Sequence, residues 1–219
     1  MTNIKICCIG SEDEVQLALR YGIDNLGFVS EMPTGVGVIP ESLIRDLVQL
    51  VPSGVRTFLL TNEYDISRII EQQSFTGVNT LQLVSRVTED VLVELRERLP
   101  GVSLVRVIHV TGIEAVEEAK QIAPYVDGLL LDSGNPDKPE DGLGGTGHTH
   151  NWELSTEIVK LVEKPVFLAG GLRPDNVAEA ISRVRPYGVD VCSGLRPEGI
   201  LSEPMLAQFV RAVRTGVTT

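Results

Sequence analysis

The chain has little of what several large classes of protein require. Lys and Arg number 19 against 30 Asp and Glu, and the resulting net charge of −11 argues against a nucleic-acid ligand. No apolar run approaches the ~18 residues of a membrane span, and the start MTNIKICCIG lacks the pattern of a signal peptide. These absences predict a cytoplasmic protein with neither a nucleic-acid nor a membrane partner.

Cysteine and histidine are also scarce. Three cysteines, two of them adjacent, cannot build a disulfide framework, and they favour a reducing compartment. The histidines, at positions 109, 148 and 150, lie far apart or in loops, and nothing resembles a cluster of metal ligands. The sequence therefore predicts no metal site.

Strand-like and helix-like segments alternate along the chain. Short β-branched or leucine-rich runs begin near Ile4, Leu26, Val55, Val78, Val102, Asp127, Pro165 and Gly188. Amphipathic stretches with apolar residues at helical spacing lie between them, which gives eight strand–helix units. We expect an α/β protein, a single (β/α)8 TIM barrel over residues 1–219. An open doubly wound sheet is the alternative.

One connection is much longer than the others. After the sixth predicted strand, residues 133–151 carry five glycines and two prolines before the next helix. Loops of this length inside a compact domain are usually functional or disordered, and loops that follow strands lie on the active-site face of a barrel. The segment is therefore predicted to be a lid.

Alternation along the strands predicts which side chains enter the barrel. In the first strand the apolar Ile4 and Ile6 share one face, which leaves Lys5 and Cys7 on the other. The same reasoning turns Asp132, Asp190, Cys192 and Arg106 inward. Cys7, Asp132 and Asp190 would then meet at the mouth of the barrel, where barrel enzymes carry out their chemistry.

Each of these residues has a structural explanation too. A cysteine at a strand end is often a small buried apolar residue, and an aspartate there often caps a turn. Asp190 suits equally well as the ion-pair partner of Lys5 or Arg106. Cys192 is expected to be a packing residue.

Glycines after the last two strands indicate an anion site. Gly170 and Gly171 follow the seventh strand, and Ser193 and Gly194 follow the eighth. Glycine at these positions lets backbone N–H groups approach a phosphate, the recurrent ligand at this place in the fold. Plain tight turns are the alternative.

Several motifs, in register from the first strand to the last helix, resemble one known family. They are Ile4-Lys-Ile-Cys7, Leu130-Leu-Asp132-Ser133, Gly144-Gly-Thr-Gly147 with Asn151-Trp152, Leu168-Ala-Gly-Gly-Leu172 with Pro174 and Asn176-Val177, and Gly188-Val-Asp-Val-Cys-Ser-Gly194. Together they resemble phosphoribosylanthranilate isomerase of tryptophan biosynthesis. The resemblance implies a (β/α)8 barrel that needs no cofactor and isomerises N-(5-phosphoribosyl)anthranilate, an aminoaldose, to an aminoketose by an Amadori rearrangement.

The resemblance also assigns roles to residues. Cys7 matches the general base of the family and Asp132 matches its general acid. The region that holds the substrate phosphate is matched by Gly147, Gly170, Gly171, Ser193 and Gly194. Further residues expected to contact substrate or shape the site are Lys5, Gln82, Arg106, Asp190 and Arg196.

The chain departs from the family pattern where the aglycone is bound. The family's second loop carries an arginine for the anthranilate carboxylate, but residues 30–38 contain none and add Glu31. A histidine expected after Gln82-Leu83 is replaced by Val84, the residue after the catalytic cysteine is Cys8 rather than glycine, and the glutamate expected after the eighth strand is Arg196. The aromatic-aspartate-tryptophan motif becomes His150-Asn-Trp152. Losing the arginine removes a bidentate partner for a carboxylate.

Three hypotheses follow. The first is phosphoribosylanthranilate isomerase or a close relative, and the second is an isomerase of another phosphorylated aminosugar with a different aglycone. The third is a non-catalytic barrel that binds a phosphate ligand. In each case the partner is a small phosphosugar, and the protein is a monomer or a homodimer.

Overall fold

The computed structural model describes residues 1–32, 37–134 and 151–216. Its strands are β1 (Asn3–Ile6), β2 (Asn25–Val29), β3 (Arg56–Thr61), β4 (Thr80–Leu83), β5 (Ser103–His109), β6 (Gly128–Asp132), β7 (Val166–Leu168) and β8 (Gly188–Val191). All neighbouring strands are parallel, and β8 pairs with β1, so the sheet closes into a barrel. The predicted fold class is confirmed, and the open doubly wound sheet is excluded.

A helix follows each strand and packs on the outside of the barrel. The helices are α1 (Glu12–Arg20), α2 (Glu41–Val48), α3 (Ile66–Thr76), α4 (Glu89–Arg98), α5 (Glu114–Ile122), α6 (Trp152–Leu161), α7 (Val177–Val184) and α8 (Glu203–Thr215). Short 3-10 helices cover Ala123–Tyr125 and Ser193–Leu195. Among the residues described, no helix is both long and apolar enough to span a membrane.

The apolar residues form two main layers. The larger lies between the strands and the helices and includes Ile4, Ile6, Leu129 and Leu131. The smaller fills the barrel lumen with side chains of the opposite parity, including Phe58, Val105, Val107, Leu130 and Phe167. The predicted alternation therefore holds in β1 and β6: Lys5 and Asp132 lie on the lumen side.

The prediction that Arg106 points into the lumen is wrong. In β5 the lumen takes the apolar Val105 and Val107, so Arg106 points towards the helices. There its guanidinium donates to the carbonyl oxygens of Leu83 and Val84 and lies 3.6 Å from Glu118 of α5. Burial lowers the pKa of Arg106 to about 10, although Glu118 opposes the shift. The prediction failed because it assumed that every strand turns its apolar residues outward.

Candidate active site

Lys5 and Asp190 form a buried ion pair at the seam where β1 meets β8. The strand register places them side by side, and Lys5 Nζ lies 2.9 Å from Asp190 Oδ2. Both residues are buried, and Asp190 Oδ1 has no hydrogen-bond partner within the described part of the chain. The pair is therefore a fixed charged element inside the barrel with one acceptor still available.

Cys7 follows β1, and the charges of Lys5 and Asp190 act on its thiol. Its thiol is buried, and burial raises the pKa of Cys7 to about 11. The positive charge of Lys5 opposes that shift, Asp190 adds to it, and Arg196 opposes it. A cationic neighbour therefore favours the thiolate at Cys7, while the surrounding protein favours the neutral thiol.

Glycine at position 27 makes room for these groups, a feature that the sequence reasoning missed. A Cβ on Gly27 of β2 would lie 2.9 Å from Lys5 Nζ and 3.2 Å from Cys7 Sγ. Real Cβ atoms almost never show the shorter of these two distances, and the longer one is tighter than most Cβ contacts. An isolated glycine inside a strand often marks such an approach, and this signal was available in Leu26-Gly27-Phe28.

Asp132 closes β6 and is partly exposed at the mouth of the barrel. Burial raises the pKa of Asp132 to about 6, although the Ser133 N–H, which donates to Asp132 Oδ1 over 2.7 Å, opposes the shift. The charges of Asp190 and Lys5 also act on it. The charges of Lys5 and Asp190 therefore act on both Cys7 and Asp132.

His109 is a second residue that the sequence reasoning set aside. It ends β5, is buried, and pairs in register with Asp132. Its parity matches that of Val105 and Val107, which line the lumen. The three histidines are far apart in the sequence or lie in loops, but the strand register brings His109 beside the candidate acid.

Gln82 of β4 also faces the lumen. It is buried, and its side-chain oxygen has no hydrogen-bond partner within the described residues. Val84, where the family pattern has histidine, packs with Phe58 and Phe167 in the lumen cluster. This side of the lumen therefore offers an amide acceptor and an apolar surface.

The turn after β7 depends on glycine. Gly170 and Gly171 have φ values of 77° and 62°, a left-handed conformation that favours glycine. Asn176 closes the turn: its Nδ2 donates to the Gly171 carbonyl oxygen over 2.9 Å, and its Oδ1 accepts from the Arg173 N–H.

The turn after β8 packs directly against the first turn. A Cβ on Gly194 would overlap the carbonyl oxygen of Leu172. Ser193 and Gly194 begin the 3-10 helix that ends at Leu195. The two glycine turns therefore lie together, as predicted, whereas Gly147 and most of the predicted lid lie outside the described residues.

Cys8 and Cys192 form a disulfide that joins the ends of β1 and β8. Cys192 packs against the small cluster of Cys7, Cys8 and Val29, as expected of a packing residue, but the bond itself was not expected. The sequence excludes a disulfide framework and favours a reducing compartment, in which a disulfide is uncommon. Sequence spacing gave no sign of it, because 184 positions separate the two cysteines and only barrel closure brings them together. Cys7 remains a free thiol.

Arg196 lies behind Cys7 rather than in the lumen. Its guanidinium pairs with both carboxylate oxygens of Glu14 in α1, and Nη2 donates to the Cys7 carbonyl oxygen over 3.2 Å. Both of its terminal nitrogens are thus engaged within the protein. Arg196 was expected to contact substrate or shape the site, and with these bonds made inside the protein its terminal nitrogens are not available to a substrate carboxylate.

Comparison with known proteins gives a consistent result. The family model described as N-(5'phosphoribosyl)anthranilate (PRA) isomerase matches residues 4–212. The isomerase of that name from Haloferax volcanii is 35% identical over 98% of this chain and 94% of its own length, and one from Methanosarcina mazei is 35% identical over 96% and 93%. The crystal structure of phosphoribosyl anthranilate isomerase from Thermotoga maritima superposes with a TM-score of 0.86 at 25% identity, covering 98% of this chain and 100% of that one.

These matches extend over nearly the whole chain and agree with the closed barrel. They also confirm the resemblance drawn from the motifs at the strand ends. The chain belongs to the N-(5'-phosphoribosyl)anthranilate isomerase family, whose members are aldose–ketose isomerases.

Proposed function

We propose that the protein isomerises N-(5'-phosphoribosyl)anthranilate to the corresponding aminoketose, with Asp132 as general acid and Cys7 as general base. The observation that carries the assignment is the strand geometry: Cys7 follows β1 and Asp132 ends β6, both at the carboxyl end of the barrel strands, and the Lys5–Asp190 ion pair, whose charges act on both groups, joins β1 to β8. A proton donor and a proton acceptor at one barrel mouth are what an Amadori rearrangement requires.

The reaction begins with the acid. Asp132 donates its proton to the furanose ring oxygen, the C1–O bond breaks, and the nitrogen lone pair forms a C1=N iminium. A pKa of about 6 leaves roughly a tenth of the Asp132 side chains protonated at pH 7, far more than an ordinary aspartate would.

The base acts on the iminium. The Cys7 thiolate removes the C2 proton, and the C2–H electrons form a C1=C2 enolamine. This enolamine gains a proton at C1 and loses the hydroxyl proton at C2, which completes the aminoketose. A raised pKa of about 11 makes the thiolate rare in the empty enzyme, but positive charge on the adjacent iminium lowers the pKa of Cys7 when it must act.

The remaining residues hold the substrate. We assign its phosphate to the N–H groups of the turns at Gly170–Gly171 and Ser193–Gly194, together with Gly147. Gln82 and Asp190 each have a buried acceptor oxygen without a partner among the described residues, which suits the hydroxyl groups of the ribose.

Two substitutions test the roles. Cys7→Ala and Asp132→Asn should each lower kcat by about 10²–10⁴-fold, because each removes one proton transfer. Both variants should still bind reduced 1-(o-carboxyphenylamino)-1-deoxyribulose 5-phosphate, a compound bound in a crystal structure of a phosphoribosyl anthranilate isomerase. Asp46→Asn, an exposed change on α2, is the matched control. A rate within threefold of the parent for either variant would show that the roles are wrong.

A second candidate is the same reaction on an aminosugar phosphate with a different aglycone. Three observations favour it: residues 30–38 carry no arginine, Val84 replaces a histidine, and both terminal nitrogens of Arg196 are occupied by Glu14 and Cys7. The two candidates differ in how strongly the aglycone carboxylate contributes to binding.

Activity on two substrates that differ only in the aglycone carboxylate distinguishes the two candidate functions. The parent protein would be assayed on N-(5'-phosphoribosyl)anthranilate and on the analogue that has aniline in place of anthranilate. We expect kcat/KM to be at least tenfold higher for the anthranilate compound and a tryptophan auxotroph lacking this isomerase to grow. Equal kcat/KM values together with no rescue by well-expressed protein would favour the second candidate.

We also propose a cytoplasmic enzyme that works as a monomer or a homodimer. The substrate carries a phosphate, whose charge opposes passage through a membrane. The proposed mechanism uses residues of a single chain, so it does not require a second copy. The rate per chain should then stay constant on dilution, and a rate that falls on dilution would contradict a self-sufficient site.

A further inference from the structure

The charged pair Glu14–Arg196 lies beside the candidate base, with Arg196 buried and Glu14 partly buried, and the reaction as proposed does not use it. The exposed fractions of the two side chains are 13% and 4%. A buried pair that keeps its charge must be well satisfied, since removing either partner leaves an uncompensated charge in the protein. Its contacts therefore indicate what it holds in place.

Hydrogen bonds to the Glu14 carboxylate link three segments of the chain. The carboxylate accepts two hydrogen bonds from Arg196, and it accepts the backbone N–H of Gly10 over 2.9 Å and that of Leu201 over 3.2 Å. Burial alone would raise the pKa of Glu14, but the hydrogen bonds from Arg196 and Gly10 lower it, so the carboxylate stays ionised. The loop after Cys7, helix α1 and the loop before α8 are thereby joined.

Arg196 adds a direct bond to the main chain of the candidate base. Its Nη2 donates to the Cys7 carbonyl oxygen over 3.2 Å. The next residue, Cys8, has a φ of 63°, a left-handed conformation that is unfavourable for a side chain other than glycine. The backbone at Cys8 is therefore held in an uncommon conformation, and the bond from Arg196 acts on the peptide group that immediately precedes it.

We propose that Arg196 is a positioning residue for Cys7: with Glu14 it fixes the Cys7–Cys8 peptide and so aims the thiol at the substrate. This inference rests on the proposed role of Cys7 as base. Arg196 does not touch the substrate in this scheme, because both of its terminal nitrogens are used inside the protein. The charged groups that act on Cys7 are Lys5, Asp190 and Arg196.

The test uses four variants: R196M, R196K, E14Q and the double variant R196M/E14Q. We expect R196M to lower kcat at least tenfold with KM within threefold of the parent, and R196K to recover part of the loss. If Arg196 instead held only the phosphate turn that precedes it, KM would rise while kcat stayed close to the parent value, which would overturn the proposal.

The double variant separates positioning from folding. R196M alone leaves Glu14 buried without its partner, so Tm should fall, and the neutral amide that E14Q introduces in the double variant should restore Tm. Positioning predicts that kcat stays low in the double variant. A kcat that returns together with Tm would overturn the proposal. R98M/E94Q, which removes an exposed pair on α4, is the matched control.

The rate at which the Cys7 thiol reacts with a labelling reagent can be measured without substrate, so it tests this inference independently of the proposed function. Cys7 is the free cysteine, so iodoacetamide should label it selectively in the oxidised protein, at a slow rate because the thiol is buried and its pKa is raised. We expect R196M and the double variant to be labelled at least threefold more slowly than the parent at pH 8. An unchanged labelling rate in both variants would overturn the inference. If the parent protein had no isomerase activity but both variants were labelled more slowly than it, the proposed function alone would be contradicted.

Discussion

Burial sets the acid–base properties of the two residues on which the proposed reaction depends. It raises the pKa of Asp132 to about 6 and that of Cys7 to about 11. The first shift supplies a proton donor near neutral pH, whereas the second must be offset by Lys5 and by positive charge on the substrate. The same surroundings thus help the acid and hinder the base.

The raised pKa of Asp132 implies a cost in stability. The folded protein keeps this proton up to about pH 6 and the unfolded chain loses it near pH 4, so the parent loses stability as the pH rises through this window. Asp132→Asn should therefore be more stable than the parent by about 1–2 kcal/mol at pH 8, a figure reduced because Asp132 is partly exposed. Urea unfolding at pH 8 and near pH 4 measures the effect.

The advantage of Asp132→Asn should shrink as the pH falls towards 4 and vanish below it, where the parent carries the proton in both the folded and the unfolded state. Asp46→Asn, at an exposed position, should show no such gain. Equal or lower stability of Asp132→Asn at pH 8 would contradict the role given to burial.

Strand parity predicted much of the site at the level of single residues. Lys5, Cys7, Asp132 and Asp190 lie where alternation with apolar neighbours places them. Arg106 does not, because parity cannot tell which face of a strand is the lumen when both faces are apolar. The Glu14–Arg196 pair was not predictable either, since its members are 182 positions apart and meet only when the barrel closes.

The seam between β1 and β8 is the element on which the candidate site depends most. It carries the Lys5–Asp190 pair, the Cys8–Cys192 disulfide and the bond from Arg196 to Cys7. The glycines after β7 and β8 were found from the sequence because turn chemistry is local. The disulfide was missed because it links the two ends of the chain.

The disulfide should contribute measurably to stability. Cys192→Ser should lower the free energy of unfolding by about 2–5 kcal/mol, because the bond closes a loop of most of the chain. Unfolded protein prepared without reductant should show one reactive thiol per chain, and three after reduction. Three thiols without reductant, or an unchanged unfolding curve for Cys192→Ser, would contradict the bond.

For the whole molecule, the number and alternation of the strand–helix units predict the barrel from the sequence alone. Eight strand–helix units leave few other ways to bury both faces of a parallel sheet. The aglycone was not predictable in this way, because it depends on loops whose sequences depart from the family. Residues 135–150, which include most of the predicted lid, lie outside the described structure.

The net charge of the whole chain bears on how the substrate arrives. The protein carries −11, and the proposed substrate carries a phosphate and a carboxylate. Screening of this repulsion should raise kcat/KM about two- to threefold between roughly 10 and 150 mM salt, with kcat unchanged. Steady-state assays with a weakly binding salt measure this, and a fall in kcat/KM would instead indicate a local cationic path to the site.

The most direct test of the central claim is a crystal structure with reduced 1-(o-carboxyphenylamino)-1-deoxyribulose 5-phosphate bound. We predict that Cys7 Sγ and an Asp132 carboxylate oxygen each lie within about 3–4 Å of the reacting end of the sugar. The phosphate should lie against the turns at Gly170–Gly171 and Ser193–Gly194. A ligand bound elsewhere, or with either side chain turned away from it, would contradict the proposed mechanism.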